Sequence, residues 1–342
     1  MALTFDLPTF GMGCAPLGGD GGVFGMASDA SADATVQHAL AHGVTFFDTA
    51  PLYGSGVSEL RLGRALAGVP RDQYQIATKI GVVINADGST ERSYRRDAVK
   101  RSIEESLRRL RVDYVEAAHI HDADPDINLR IALDEAYPVL ADFKAQGVIR
   151  AIGAGMNFWE PEAEMARNAD FDCFLLAGRY TLLEQGPIHE YLPLCLEKGI
   201  SVFLGGVFNT GILATGSIPE ARYQYRPAPP EMMEKTRRIE AICARHGVAL
   251  KAAALQFPLA HPAVRSLVVG MISPSEIDQN LAALHAPIPA DFWAELSAAG
   301  LIDPAAPKRR WVAVDSRAVR RWDSWAVGQN IHRLKSVSGT AS

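Results

Sequence analysis

Only four cysteines occur in the 342 residues, Cys14, Cys173, Cys195 and Cys243, and no two of them form a CxxC pair. Their scatter argues against a disulfide framework or a zinc knuckle and suits a reducing cytoplasm. Basic charge is not in excess either. Thirty-four Lys and Arg stand against 39 Asp and Glu, for a net charge of −5, so nucleic acid is not an expected partner. No uninterrupted apolar run approaches the roughly 20 residues that cross a bilayer. The opening Met-Ala-Leu-Thr-Phe-Asp lacks a basic stretch leading into an apolar one. The expectation is therefore a protein neither exported nor held at a membrane. Also missing is a GxGxxG after a strand-like run, which speaks against the doubly wound dinucleotide fold. What is present, 48% hydrophobic and 21% charged residues, is enough to bury a large core.

Short apolar runs rich in β-branched and aromatic residues alternate with longer amphipathic stretches almost to the carboxyl end. Strands are predicted over 11–18, 44–50, 74–81, 114–121, 149–155, 171–178, 201–207 and 266–271. Helices are predicted over 32–42, 58–67, 96–111, 131–146, 161–168, 188–198, 231–246 and 275–284. Strand then helix, eight times, predicts an α/β fold of the (β/α)8 TIM-barrel type in one domain spanning 1–342. Gly43, Gly147, Gly199 and Gly247 close amphipathic runs where a helix C-cap wants positive φ. Ser273-Pro274-Ser275-Glu276 has the spacing of a capping box. Two long connections, 82–95 and 208–230, follow strand carboxyl ends, where a barrel builds its site, and are candidate lids. The extension 302–342, with Trp311, Trp322 and Trp325, is expected to pack over the barrel.

Three consecutive strands end in chemistry: Asp48 in Phe46-Phe47-Asp48, Lys79 in Ala77-Thr78-Lys79, and His121 in His119-Ile120-His121, with Tyr53 on the first following turn. A phenol with an ordinary pKa of about 10 is a poor acid or base near neutrality, but an adjacent ammonium stabilises the phenolate and is expected to lower that value. Lys79 can supply the cation, Asp48 can keep it charged, and His121 can polarise a substrate oxygen. His119 and His121 share one strand face, so a metal-binding His pair is the competing reading. The later strand ends, Gly153-Ala154-Gly155, Ala177-Gly178 and Gly205-Gly206, offer no further ligand, and no metal is expected.

With these residues in place, Phe47-Asp48-Thr49-Ala50-Pro51-Leu52-Tyr53-Gly54, Thr78-Lys79 and His121-Asp122 resemble the Asp, Tyr, Lys, His tetrad of the aldo-keto reductase superfamily. The likeness runs over roughly residues 8–285 and includes 11–19 and Ser58-Glu59. It implies Tyr53 as general acid/base, Lys79 and Asp48 as its tuning pair, and His121 as the group that orients substrate. It also implies nicotinamide contacts from Met156, Asn157 and Arg179, with Gly206, Val207 and Phe208 supplying the segment whose aromatic ring stacks on nicotinamide. The likeness also sets Gly270, Met271, Ile272, Ser273 and Glu276 in the stretch that surrounds the adenosine 2′-phosphate in NADPH-using relatives, and Asn280 at the position of an adenine contact. The stretch 270–276 carries no Lys or Arg for a 2′-phosphate, so NAD is expected over NADP.

Within the family the likeness is to the sugar-oxidising branch, carried by 177–183 and 205–213. It implies oxidation of an aldose such as L-fucose, D-arabinose or L-galactose to a lactone; a monomer or homodimer is expected. Pyridoxal, which also forms a cyclic hemiacetal, stays open as substrate. An NADPH-dependent aldehyde or ketone reductase and a non-catalytic, cofactor-sensing regulatory subunit are the other readings.

Overall fold

The β-branched and aromatic runs form eight short parallel strands: β1 Phe10–Gly13, β2 Phe46–Asp48, β3 Gln75–Ile80, β4 Val115–His121, β5 Ile149–Met156, β6 Cys173–Ala177, β7 Ser201–Gly205 and β8 Val264–Gly270. They close in the order β1-β8-β7-β6-β5-β4-β3-β2, so the chain is a (β/α)8 barrel. The ring shuts where β1 pairs with β8, from Phe10↔Leu267 to Gly13↔Gly270. This computed structural model describes residues 3–22, 25–123 and 128–307. Most of the predicted extension, 308–342 with its three tryptophans, lies outside the described residues.

Eight helices cover the barrel: α1 Asp29–Ala41, α2 Val57–Ala65, α3 Arg96–Leu110, α4 Tyr137–Ala145, α5 Trp159–Asn168, α6 Tyr191–Lys198, α7 Pro230–His246 and α8 Pro274–His285. Gly199 and Gly247 cap α6 and α7 with φ of 69° and 63°, as their positions predict. The first strand is shorter than its apolar run. Pro16 sits in a 3-10 turn, Ala15–Gly18, that takes over after Gly13, because proline has no N–H to give a ladder. The long helix predicted over 131–146 is interrupted by a π segment, Ala132–Ala136. Pro138 lies in the first turn of α4, and its missing N–H accounts for the wider turn before it. Among the helices not predicted, Leu250–Gln256 and Ala290–Ala298 have short apolar faces that periodicity over a longer window does not single out. Among the described residues, no helix is long and apolar enough to cross a membrane.

Two apolar layers result. One lies between strands and helices. The other fills the barrel itself with Phe46, Ala77, Ala117, Ala151, Cys173, Leu175, Phe203 and Val268. Leu3, Phe5 and Leu7 pack against this inner cluster. Both long connections carry antiparallel hairpins, Val82–Ile84 with Thr90–Arg92, and Arg222–Tyr223 with Arg226–Pro227.

Candidate active site

The strand ends deliver the polar groups. Asp48, Lys79 and His121 are 3%, 2% and 7% exposed, a degree of burial that charged groups tolerate only when paired. Lys79 Nζ donates to Asp48 Oδ1 at 2.6 Å and to the Thr49 carbonyl at 2.9 Å. It lies 4.8 Å from the centre of the Tyr53 ring. Tyr53 and His121 meet edge to face, their ring centres 6.0 Å apart. The structure thus brings Asp48, Tyr53, Lys79 and His121 together.

Local packing explains the position of the tyrosine turn. Gly54, at φ 62°, lies against Gly18 so closely that a Cβ on it would come within 2.3 Å of the Gly18 carbonyl oxygen. A side chain at either glycine would push the turn off the 15–18 segment. Ser58 Oγ donates to the Cys14 carbonyl at 2.7 Å and lies 2.9 Å from Thr49 Oγ1. Buried Glu59 accepts from Thr78 Oγ1 at 2.6 Å and from Arg109 Nε at 2.7 Å, which fixes α2 and α3 to the residue beside Lys79. On the other side, Tyr94 Oη donates to the His121 carbonyl at 2.6 Å, so the connection 82–95 is fastened to the same strand end.

The electrostatics correct one expectation. Burial pushes the Tyr53 hydroxyl up to about 12, against the opposing charge of Lys79. The ammonium alone would lower the phenol, whereas loss of water around a phenolate is the larger effect here. Burial pulls Lys79 down, but the Asp48 and Tyr53 charges outweigh it and hold the ammonium above its ordinary value. Burial raises Asp48 despite Lys79. His121 is held well below its usual range by burial, Lys79, Arg92 and His119, in that order, and is therefore a neutral imidazole. His119 is wholly buried and turned inward, 5.7 Å from the Phe203 ring, and does not share the mouth with His121.

Three adjoining clefts open at the carboxyl ends of the strands. The first, about 340 Å³, is lined by Tyr53, Lys79, His121, Met156 and Asn157. The second, about 400 Å³, runs past Asp48, Gly206, Val207 and Phe208 to Gly270, Ile272 and Glu276. The third, about 390 Å³, lies between Asn157, Phe158, Arg179 and Arg226. Tyr225 and Ala177 border all three.

Of the residues expected to hold a dinucleotide, the second cleft gathers Asp48, Gly206, Val207, Phe208, Gly270, Ile272 and Glu276. Arg179 lines the third cleft together with Asn157 and Gly206. Strand β6 ends at Ala177, one residue before the predicted end, and the Arg179 guanidinium lies 4.9 Å from the Phe158 ring. Met271 is wholly buried among apolar residues. Ser273 caps α8, its Oγ accepting from the Glu276 N–H at 3.3 Å. Glu276 turns back to the Ile272 N–H at 2.8 Å, one residue before the position a capping box uses. Asn280 is 3% exposed and its buried Oδ1 has no hydrogen-bond partner among the described residues. A cleft lined by Gly13, Gly205, Gly206, Gly211 and Gly270, with an unanswered amide oxygen on α8, fits a nucleotide bearing donor groups.

The profile of the aldo/keto reductase family matches residues 9–300. The chain belongs to that family. It is 37% identical over 316 residues to D-threo-aldose 1-dehydrogenase of a Pseudomonas species, covering 86% of this chain and 95% of the relative. It is 35% identical to pyridoxal 4-dehydrogenase of Microbacterium luteolum, covering 85% and 94%. Identity to L-galactose dehydrogenase of Arabidopsis thaliana is 34%, covering 80% and 83%. Among solved structures, an aldo-keto reductase from Bacillus halodurans in its holo form superposes with a TM-score of 0.73 at 23% identity, covering 92% of this chain and 98% of that one. The chain is an oxidoreductase of a family that uses nicotinamide cofactors.

Proposed function

We propose that the enzyme oxidises the cyclic hemiacetal form of an aldose at its anomeric carbon, giving a lactone, with NAD as oxidant. The observation that carries this reading is the buried Lys79–Asp48 pair, 2.6 Å apart, beneath the Tyr53 ring at the cleft mouth. Nicotinamide dinucleotide, when bound, supplies the hydride-accepting chemistry. Tyr53 takes the proton from the anomeric hydroxyl as general base, and the Lys79 ammonium stabilises the phenolate it must form. Asp48 keeps Lys79 in position and charged. Neutral His121 hydrogen-bonds the reacting oxygen and orients it. Asn157 and Gly206–Phe208 would hold the nicotinamide end, and Gly270, Ile272 and Glu276 the adenosine end. Phe158, Arg179 and Tyr225 offer aromatic faces and a guanidinium to the part of the sugar ring remote from the reacting carbon.

One observation supports NAD over NADP. Glu276 puts a carboxylate on the wall where a 2′-phosphate would need a cation. Charge-assisted contacts to phosphate contribute about 1.5–3 kcal/mol each, so NAD is expected to be preferred by about 10- to 100-fold in kcat/KM. Pyridoxal remains the second reading, favoured by the 35% identity to a pyridoxal 4-dehydrogenase. The test is NADH formation with L-fucose, D-arabinose, L-galactose and pyridoxal, with NADP in parallel. Turnover of pyridoxal alone selects the second reading. A clear NADP preference with open-chain carbonyls would replace both by an NADPH-dependent reductase, and tight dinucleotide binding without any turnover would favour the sensor.

A further inference from the structure

Away from the clefts, the outer face of α1 and α8 carries a cluster with no part in the chemistry above. His38 lies in the last turn of α1, His42 is its C-cap residue, and Asp278 is in α8. One ligand atom from each lies within 4.8 Å of the other two. We propose that His38, His42 and Asp278 form a surface site for a divalent transition metal of the zinc class, tying α1 to α8 beside the seam where the barrel closes.

The donor set is the first argument. Two imidazoles and a carboxylate suit zinc and its neighbours, and histidines four residues apart on a helix face the same way. The geometry is the second. Metal–ligand bonds of about 2.0–2.1 Å in a tetrahedral arrangement separate the ligand atoms by about 3.3 Å. His38 Nε2 and His42 Nε2 lie 2.7 Å and 4.0 Å from the same oxygen, Asp278 Oδ1, so the observed spacings bracket that value. The side chains are 26%, 36% and 56% exposed, so shifts of roughly 0.6–0.7 Å toward that spacing meet little packing, and the site is open to an incoming ion with water as fourth ligand.

The third argument is outer-sphere support. His42 Nδ1 lies 2.8 Å from the His38 carbonyl oxygen. Donation to a main-chain carbonyl fixes the tautomer of a metal-binding imidazole and directs its Nε2 lone pair at the ion. The two rings lie side by side, with centres 3.9 Å apart and planes 31° from parallel. One turn earlier on α1, Thr35 Oγ1 donates to the Ile272 carbonyl at 3.0 Å, and Ile272 lines the second cleft. A metal at this site therefore braces the wall that carries Ile272 and Glu276.

The test uses the untagged full chain, stripped with a chelator and titrated with zinc chloride against a chromophoric competitor, with thermal unfolding in parallel. One zinc per chain is expected, with a Kd of about 1–10 µM, as three protein ligands imply. At 100-fold excess over Kd, Tm rises by about 3–6 °C. His38→Asn, His42→Gln and Asp278→Asn each weaken binding about tenfold or more and remove the Tm rise. Asp278→Asn alters only an exposed carboxylate, so it decides the matter should either histidine variant fold poorly. Undiminished binding in Asp278→Asn and in the His38→Asn/His42→Gln double variant, or no saturable binding by the unsubstituted chain below 100 µM, approximately ten times the upper Kd, overturns the proposal.

Discussion

A phenol that ionises near pH 12 has a direct kinetic signature. Oxidation needs the phenolate, whose fraction grows about tenfold for each unit of pH while pH stays below the pKa. The expected profile of kcat/KM for aldose oxidation climbs with a slope near one from pH 7 to about 10; a plateau starting near pH 7 would show that Tyr53 is not the group that titrates. Tyr53→Phe is expected to lower turnover by about 10²- to 10⁴-fold, while dinucleotide affinity, read by fluorescence titration, stays within about twofold, since the ring and the Lys79–Asp48 pair remain. Asp48, Tyr53, Lys79 and His121 were legible because each closes a strand or follows one on a short turn, so sequence spacing alone sets them on one rim. The acidity of the phenol was not legible, because burial is a property of the assembled mouth. Arg179 is implied by the family likeness alone, and the structure sets it on the wall of the third cleft with Asn157 and Gly206.

At the level of strands and helices, the sequence reading was most accurate where glycine or proline ends an element and least accurate where proline acts inside one. The shortened β1 and the π segment before Pro138 both come from a missing N–H, an effect that hydropathy does not register. The inner layer of the barrel adds a constraint that strand patterning does not reveal. A Cβ at Gly153 on β5 would meet His119 Cδ2 at 2.3 Å, in a barrel already filled by Phe46 and Phe203. Gly153→Ala is therefore expected to cost about 1–3 kcal/mol by overpacking, measured by chemical denaturation. His119→Ala in the same chain should recover part of it. Additive losses in the double variant would mean that the two residues do not collide.

For the molecule as a whole, the buried histidines set an acid limit. Burial and Lys79 drive His119 down to about 3, so between pH 6.5 and 3 the unfolded chain binds a proton at this residue that the native chain refuses. Stability contributed by this group is fully present above 6.5 and falls as pH drops, by at most about 1.4 kcal/mol per unit. His121 adds a loss of the same sign. Unfolding free energies at pH 7, 5 and 4 are expected to decline, and His119→Gln should flatten the decline by about one proton's worth. An unchanged slope in that variant would remove His119 from the account. The architecture was the most legible feature of all, since eight alternations leave few ways to arrange the chain, but which strands meet at the closing seam is fixed only by the three-dimensional register. That seam bears on biosynthesis. Strand β1 finds its second neighbour only at Val264–Gly270, roughly 250 residues downstream, so at translation speeds of about 5–20 residues per second a nascent chain carries an unsatisfied edge for about 13–50 seconds. The ribosome must deliver the chain through Gly270 before the cylinder can lock.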